Sequence, residues 1–230
     1  MEALDIIFED NHLIVVNKRS GTLVQGDKTG DIPLNDQVKL YIKQKYNKPG
    51  DVYLGTVHRL DRPTSGIVLF ARTSKALTRM NALFKSKDIQ KTYWAVTEKS
   101  PQNKKGICIN YLLKNEKQNK SYVKKQDTKG AKLAELSYEL KGATDKYSCI
   151  EIKPITGRHH QIRVQLSTIG CIIKGDLKYG AKRSNPNGSI HLHARMLEFI
   201  HPVKKEPVRI IAPPPKDVLW DQFLKFDTKK

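Results

Sequence analysis

Much of the chain consists of short runs in which apolar and polar residues alternate or apolar residues follow one another. Such runs are typical of β-strands, and they lie at 6–8, 13–16, 54–57, 67–71, 92–97, 133–140, 147–152, 191–200 and 208–212. Helical spacing is found in a segment opened by Pro33, in one from Ser74, in one from about Arg158 to Ser167, and in a short one after Pro215. Few strand pairs have a helix between them. The pattern therefore predicts an α+β fold with a largely antiparallel sheet.

The helix ends are marked by capping residues. In the first helix one face carries Leu34, Val38, Tyr41 and Ile42, and in the second the buried side carries Leu77, Met80 and Phe84. Ser74 is placed to cap the second helix, and Thr156 to cap the third. Gly170 is placed to end the third helix.

Length and cysteine usage limit the class of protein. The chain has 230 residues, 38% of them hydrophobic, with no internal repeat or low-complexity linker, so we expect a single domain over 1–230. No secretory signal is evident at the start, and no apolar run approaches the roughly 20 residues that span a bilayer. Cys108, Cys149 and Cys171 are odd in number and widely spaced, which favours a reduced interior. We expect a cytoplasmic protein with no membrane partner.

The charge balance indicates the kind of partner. Lys and Arg total 42 against 23 Asp and Glu, a formal net charge of +19. From Lys99 to Lys132 ten lysines face only Glu116 and Asp127, a local net charge of 10 − 2 = +8. We expect loops and short strands there that carry a solvated basic surface. A basic membrane-surface helix is the other interpretation, but no amphipathic helical period is present. Nucleic acid is the favoured partner.

One stretch, Val57 to Ala71, reads V-H-R-L-D-R-P-T-S-G-I-V-L-F-A and is rich in candidate chemistry. Asp61 lies between Arg59 and Arg62 and should stay ionised at neutral pH. An ionised carboxylate is a poor proton donor, but it can act as a nucleophile or as an electrostatic stabiliser. From the spacing alone, a surface aspartate in ordinary salt bridges beside a β-turn is the commoner case.

The nonapeptide H-R-L-D-R-P-T-S-G resembles the signature of RNA pseudouridine synthases of the RluA type. Four further blocks resemble that family in the same order: the opening I-I-F-E-D-N-H-L-I-V-V-N-K-R-S-G-T-L-V, K-T-Y-W-A-V at 91–96, T-G-R-H-H-Q-I-R-V-Q-L-S-T-I-G-C-I-I-K-G-D-L-K-Y-G at 156–180, and L-H-A-R-M-L-E-F-I-H-P at 192–202, which A-P-P-P follows. Departures are Arg19 in place of a usual proline, His159 in place of a common threonine, and Gln165 in place of a common histidine. The resemblance is to the short form without an N-terminal RNA-binding domain.

This resemblance implies the pseudouridine synthase catalytic fold, with helices flanking the sheet and an active-site cleft. The implied reaction converts uridine in ribosomal or transfer RNA to pseudouridine by moving the ribose bond from N1 to C5 of the uracil. The resemblance implies no metal and no cofactor. His58, His159, His160, His191 and His193 do not form a usual zinc spacing. We expect a monomer with RNA as its partner. A non-catalytic basic RNA-binding or RNA-folding protein on the same fold is the alternative.

The resemblance also implies residue roles. Asp61 would be the nucleophile, attacking either the uracil ring or the ribose C1′. Arg163 matches the basic residue that the family pairs with this aspartate; otherwise it is a phosphate contact or a solvated position. Tyr93 would lie against the uracil, or is a core aromatic. Ile162 would form a pocket wall, or is plain core.

Two further residues, Arg62 and His160, each have two open roles. The target carbon is inaccessible in a stacked base, so the nucleotide must be flipped out at a cost of roughly a few kcal/mol. Arg62 could stack where the base had been or bind a phosphate, and the sequence favours neither. His160 either hydrogen-bonds the loop that holds Asp61 or has a purely structural role.

Overall fold

The computed structural model describes residues 3–27 and 30–227. Along them the chain forms β1 (Ile6–Glu9), β2 (Leu13–Lys18), α1 (Leu34–Lys45), β3 (Gly55–Thr56), β4 (Ser65–Ala71), α2 (Ser74–Ser86), β5 (Gln90–Thr97), β6 (Lys105–Asn115), β7 (Lys120–Lys124), β8 (Lys132–Ala143), β9 (Ser148–Pro154), α3 (Gln161–Thr168), a 3-10 turn (Leu177–Tyr179), β10 (Leu192–Ile200), β11 (Pro207–Ile211) and α4 (Val218–Asp227). The chain divides into two compact units, 1–91 with 194–214 and 92–193 with 215–230. We retain a single catalytic domain as a prediction.

The first unit is built on antiparallel strands. β2 pairs along its whole length with β4, from Leu13 opposite Ala71 to Lys18 opposite Gly66. β1 pairs with the other edge of β2, β3 pairs with β4, and β10 pairs with β11. Helix α1 buries Leu34, Val38 and Ile42, the face that the sequence predicts, in a cluster that also contains Val68 and Phe70 of β4.

The second unit is an antiparallel sheet in the order β5-β9-β8-β6-β7. Alternate residues of β5 belong to different cores, because neighbouring side chains of a strand point to opposite faces. Tyr93 and Ala95 belong to a cluster with Ile162 of α3, whereas Trp94 and Val96 pack with residues of α4. The predicted alternation over 92–97 and the predicted α+β class are confirmed.

Three local predictions are wrong, and the predicted Thr156 cap of α3 is a fourth. The cap of α2 is Thr73, whose Oγ1 accepts a hydrogen bond from Ala76 N at 3.1 Å, and not Ser74. Helix α3 begins at Gln161 and not near Arg158. The lysine-rich segment forms a strand of 11 residues, β6, where short strands were expected.

The start of α3 is set by contacts between segments distant in sequence. Thr156 does not cap the helix; its Oγ1 accepts from Glu135 N at 2.8 Å and donates to Gln161 Oε1 at 2.7 Å. Gln161 Oε1 also accepts from Arg158 N at 2.9 Å. His160 takes the left-handed φ of 54° just before the helix. Gly170, at φ 76°, follows the end of the helix as predicted.

Candidate active site

Asp61 lies in the first unit, in the loop that joins β3 to β4. The loop is fastened to the turn after β2, because Gly21 N donates to Arg62 O at 2.8 Å. Within the loop, Thr64 N donates to Asp61 O at 3.0 Å and forms a turn. Beyond the loop, a Cβ on Gly66 would lie 2.3 Å from Ala194 O, so only glycine allows this close approach of β10. Asp61 is therefore held on an ordered loop.

Lys18 is the buried charge beside this loop, and only 1% of its surface is exposed. Its Nζ donates to three carbonyl oxygens, those of Arg19 at 2.9 Å, Thr22 at 2.8 Å and Arg62 at 3.2 Å. Burial lowers the pKa of Lys18 to about 7, and the charge of Arg62 lowers it as well, while the negative charge of Asp61 raises it. The ammonium thus joins the turn after β2 to the Asp61 loop.

Arg62 follows Asp61 and is about half exposed. Its Nε donates to Gly21 O at 2.9 Å, and its Nη2 forms an ion pair with Asp31 Oδ2 at 2.6 Å. The sequence did not suggest Asp31 as a partner of this arginine. Base stacking and phosphate binding by Arg62 both stay predictions.

His58 lies after β3, in the loop that leads to β4. Its Nε2 accepts a hydrogen bond from Leu69 N at 3.2 Å, and its ring stacks on Phe84 at 5.4 Å between centroids. Burial lowers the pKa of His58 to about 4. A neutral imidazole is required to accept from a backbone N–H. His58 is thus a packing and hydrogen-bonding group.

Arg163 lies in the second unit, on α3, and is buried against Asp176. Its Nε lies 2.7 Å from Asp176 Oδ2 and its Nη2 lies 2.7 Å from Oδ1. Only 5% of the arginine side chain and 1% of the aspartate side chain are exposed. A two-pronged contact of this kind fixes the plane of the guanidinium as well as its position.

Tyr179 supports the same guanidinium from the side. Its ring centroid lies 5.1 Å from Arg163 Cζ. The hydroxyl of Tyr179 accepts from Ser121 N at 2.9 Å and lies 2.9 Å from His160 Nδ1. The pKa of His160 is lowered to about 2, mainly by burial and then by nearby positive charges. His160 is therefore neutral and is held by Tyr179.

Tyr93 and Ile162 belong to the same side of the second unit. Ile162 is 8% exposed and is part of the core cluster, and Tyr93 is a partly buried side chain packed against that cluster. The structure thus brings Tyr93 and Ile162 to one cluster, and places Arg163 next to Ile162 on α3. Asp61 and Arg62 belong to the first unit.

The family departures His159 and Gln165 are also held in the second unit. Gln165 is fully buried, and its Nε2 donates to Cys108 O at 3.1 Å and Ala134 O at 3.2 Å, which ties α3 to β6 and β8. His159 precedes the helix and is not part of it.

The remaining histidines and the cysteines bear on metal binding and on disulfides. His191 lies 3.1 Å from Asp217 Oδ1, and His193 stands 6.1 Å from the ring of Trp220. No group of three or more His, Cys, Asp or Glu side chains in the described residues could hold a metal ion. The three cysteines are buried and free. No helix within the described ranges is long and apolar enough to cross a membrane.

Comparison with known families decides the assignment. The family model described as RNA pseudouridylate synthase matches residues 12–168. The chain belongs to this family. The class is thereby fixed as RNA pseudouridine synthase, an isomerase, and the alternative of a non-catalytic RNA-binding protein is not favoured. Residues 12–168 include Asp61, Arg62, Tyr93, Ile162 and Arg163.

Individual relatives support the same family assignment. This chain is 32% identical over 231 residues to "Ribosomal large subunit pseudouridine synthase D" of Xylella fastidiosa, covering 94% of this chain and 67% of the relative. It is 30% identical over 237 residues to "tRNA pseudouridine synthase C" of Haemophilus influenzae, covering 96% of each. The solved structure "Human RNA Pseudouridylate Synthase Domain Containing 4" matches with a TM-score of 0.79 at 25% identity, covering 96% of this chain and 92% of that one.

Two residues of the candidate site were missed from sequence, Lys18 and Asp176. Lys18 ends β2, whose other residues are nearly all buried, and a lysine that ends such a strand is a signal that could have been noticed. Asp176 stands 13 residues after Arg163, with no local spacing that relates the two. Only the folded chain reveals that pair.

Proposed function

We propose that this enzyme converts specific uridines of ribosomal or transfer RNA to pseudouridine, with Asp61 as the nucleophile. The observation that carries the proposal is the family match over 12–168, which contains Asp61, Arg62, Tyr93, Ile162 and Arg163. The fastening of the Asp61 loop by Lys18 supports it, since a nucleophile must be held in a productive position.

In the proposed reaction Asp61 attacks either the uracil ring or C1′ of the ribose. The N1–C1′ bond breaks, the uracil turns while bound, a C5–C1′ bond forms, and the bond to Asp61 breaks again, which returns the free carboxylate. The hydrogen on C5 leaves and N1 gains one, so that the product is an isomer of the substrate. The chain offers a carboxylate for the attack, and the reaction as written requires neither a metal nor a cofactor.

The other candidate residues bind the flipped nucleotide in this proposal. Tyr93 lies against the uracil ring and Ile162 forms a wall of the base pocket. Arg163 supplies positive charge to the reaction; its buried contact with Asp176 supports a fixed orientation. Arg62 acts outside the base pocket, either by stacking in the RNA or by binding a phosphate. In both cases the guanidinium leaves its ion pair with Asp31.

The two RNA classes follow from the relatives' names, one ribosomal and one transfer RNA. We further propose that the enzyme works as a monomer in the cytoplasm. Three free, buried cysteines support a reducing compartment.

The test replaces Asp61 by asparagine, which keeps the size and removes the nucleophilic charge. Pseudouridine is mapped in ribosomal and transfer RNA from cells with and without the gene, and in cells complemented with wild type or Asp61→Asn. We expect sites that are lost on deletion and restored by wild type alone. Asp51→Asn, an exposed aspartate ten residues upstream, is the matched control and should restore them.

A second measurement follows the C5 hydrogen directly. Purified enzyme should release tritium from RNA labelled at C5 of uridine, and Asp61→Asn should release none while it binds RNA with wild-type Kd. Full activity of Asp61→Asn would contradict the assigned role. An unchanged map together with retained RNA binding would favour the non-catalytic function.

A further inference from the structure

The turn between β6 and β7 is fixed against two other segments of the second unit. His159 Nε2 lies 3.0 Å from Asn119 Oδ1, and Ser121 Oγ donates to His159 O at 2.7 Å. Lys178 Nζ donates to Asn119 O at 2.9 Å. The turn, the segment before α3 and the 3-10 turn therefore form one hydrogen-bonded surface. We call it the hairpin surface, formed by Lys117, Lys120, Arg158, His159 and Lys178.

The hairpin surface carries an excess of positive charge. Within the described ranges, Lys117, Lys120, Arg158 and Lys178 take part in no ion pair, and the nearby Glu116 is paired with Lys114 at 2.6 Å. The depressed pKa of the neighbouring His160 is due first to burial and then to positive charges that include Arg163 and Lys178. An anion placed here would meet cations that no carboxylate of the described residues pairs with.

Tyr179 connects this surface to Arg163. The ring centroid of Tyr179 lies 5.1 Å from Lys120 Nζ and 5.1 Å from Arg163 Cζ. The two cations are therefore no more than about 10 Å apart, and both lie against the same aromatic ring. Lys120 also lies over the ring of Tyr122 at 5.3 Å. Two rings restrict an otherwise flexible ammonium, which lowers the entropy cost of using it to bind a ligand.

We propose that the hairpin surface binds a backbone phosphate of the RNA strand close to the target nucleotide, with Lys120 and Lys178 as the main contacts. The inference rests on the proposed function, which makes RNA the substrate and Arg163 part of its site. Phosphate is the anion that an RNA strand presents at every residue, and lysine binds it as a point charge. His159 and Asn119 hold the turn that presents the two lysines.

The test compares two double variants that remove the same charge. Lys120→Gln with Lys178→Gln removes the two lysines proposed to bind phosphate. The control, Lys75→Gln with Lys85→Gln, removes two exposed lysines of α2 that also lack ion pairs in the described residues. Kd for a substrate RNA is measured between 50 and 200 mM salt in the Asp61→Asn background, which separates binding from turnover. In the Asp61 enzyme, kcat and KM are measured at one salt concentration.

We expect the hairpin variant to raise Kd and KM at least about tenfold, with kcat within about twofold of wild type. The slope of log Kd against log salt should fall by roughly 0.7 for each phosphate that the variant no longer binds. The control should change each value by less than about twofold. Equal effects of the two variants would overturn the proposal, because the hairpin surface would then act only through the net charge of the chain.

Two other results would also overturn it. A fall in kcat with unchanged Kd and salt slope would assign Lys120 and Lys178 to the support of Arg163. Equally tight binding of poly-glutamate, with the same dependence on the two lysines, would show a surface for acidic protein segments. If the proposed function were wrong, the result would differ. A protein that makes no pseudouridine would still bind RNA less tightly in the hairpin variant than in the control variant.

Discussion

The buried pair of Arg163 and Asp176 gives the sharpest prediction on stability. Asp176→Asn keeps the shape of the side chain but removes its charge and turns an amide N–H₂ toward the guanidinium. Both hydrogen bonds of 2.7 Å are made to a charged partner, and such bonds contribute about 1.5–3 kcal/mol each. Because the two side chains are 5% and 1% exposed, water cannot take the place of the carboxylate. We expect the free energy of unfolding to fall by about 3–5 kcal/mol.

The assay is urea unfolding of wild type, Asp176→Asn, Arg163→Met and the double variant, with Glu139→Gln as the control. Glu139 forms an ion pair with Lys105 whose two side chains are 39% and 72% exposed, so its loss should cost about 1 kcal/mol or less. In the double variant the buried charge is gone, and much of the stability should be recovered. A loss below about 1 kcal/mol in Asp176→Asn, or losses that add within about 0.5 kcal/mol, would refute the reasoning.

Two further predictions concern the cap of α2 and the titration of His58. Thr73→Ala should lower the free energy of unfolding by about 1 kcal/mol because Ala76 N loses its acceptor. Ser74→Ala, measured by the same urea unfolding, should change it by less than about 0.5 kcal/mol; the reverse order would contradict the observed cap. His58 has a folded pKa of about 4, below the unfolded value of about 6.5, so its contribution is complete above pH 6.5 and is lost as pH falls toward 4. His58→Gln should reduce this decline in the urea midpoint, and an unchanged decline would contradict the neutral acceptor role.

The sequence predicts the buried side chains best where the repeat of the strand or helix alone decides which side faces the core. The alternation of Tyr93 and Trp94 on β5 follows from a sheet that packs against different residues on its two faces. The spacing of Leu34, Val38 and Ile42 on α1 likewise matches the face that the helix buries. In both cases the period of the backbone alone determines which side chains face the core.

Prediction failed where distant segments decide the local structure. Thr156 has the chemistry of a helix cap, but its hydroxyl oxygen accepts a hydrogen bond from Glu135 N, which lies 21 residues earlier. The side chain of Gln161 then accepts from Arg158 N, so the chain before the helix is fixed in a non-helical form. A capping rule that considers only neighbouring residues cannot foresee a competing donor on another strand.

The two missed residues share one physical property, since each is a buried charge that orders a candidate functional group. Lys18 binds three carbonyl oxygens around the Asp61 loop, and Asp176 binds two nitrogens of Arg163. Burying an ion costs several kcal/mol unless hydrogen bonds compensate it, so these residues are inefficient as sources of stability. A reacting group displaced by about 1 Å, however, can lose about 100-fold in rate. We therefore expect the loss of either charge to lower the rate of the enzyme as well as its stability.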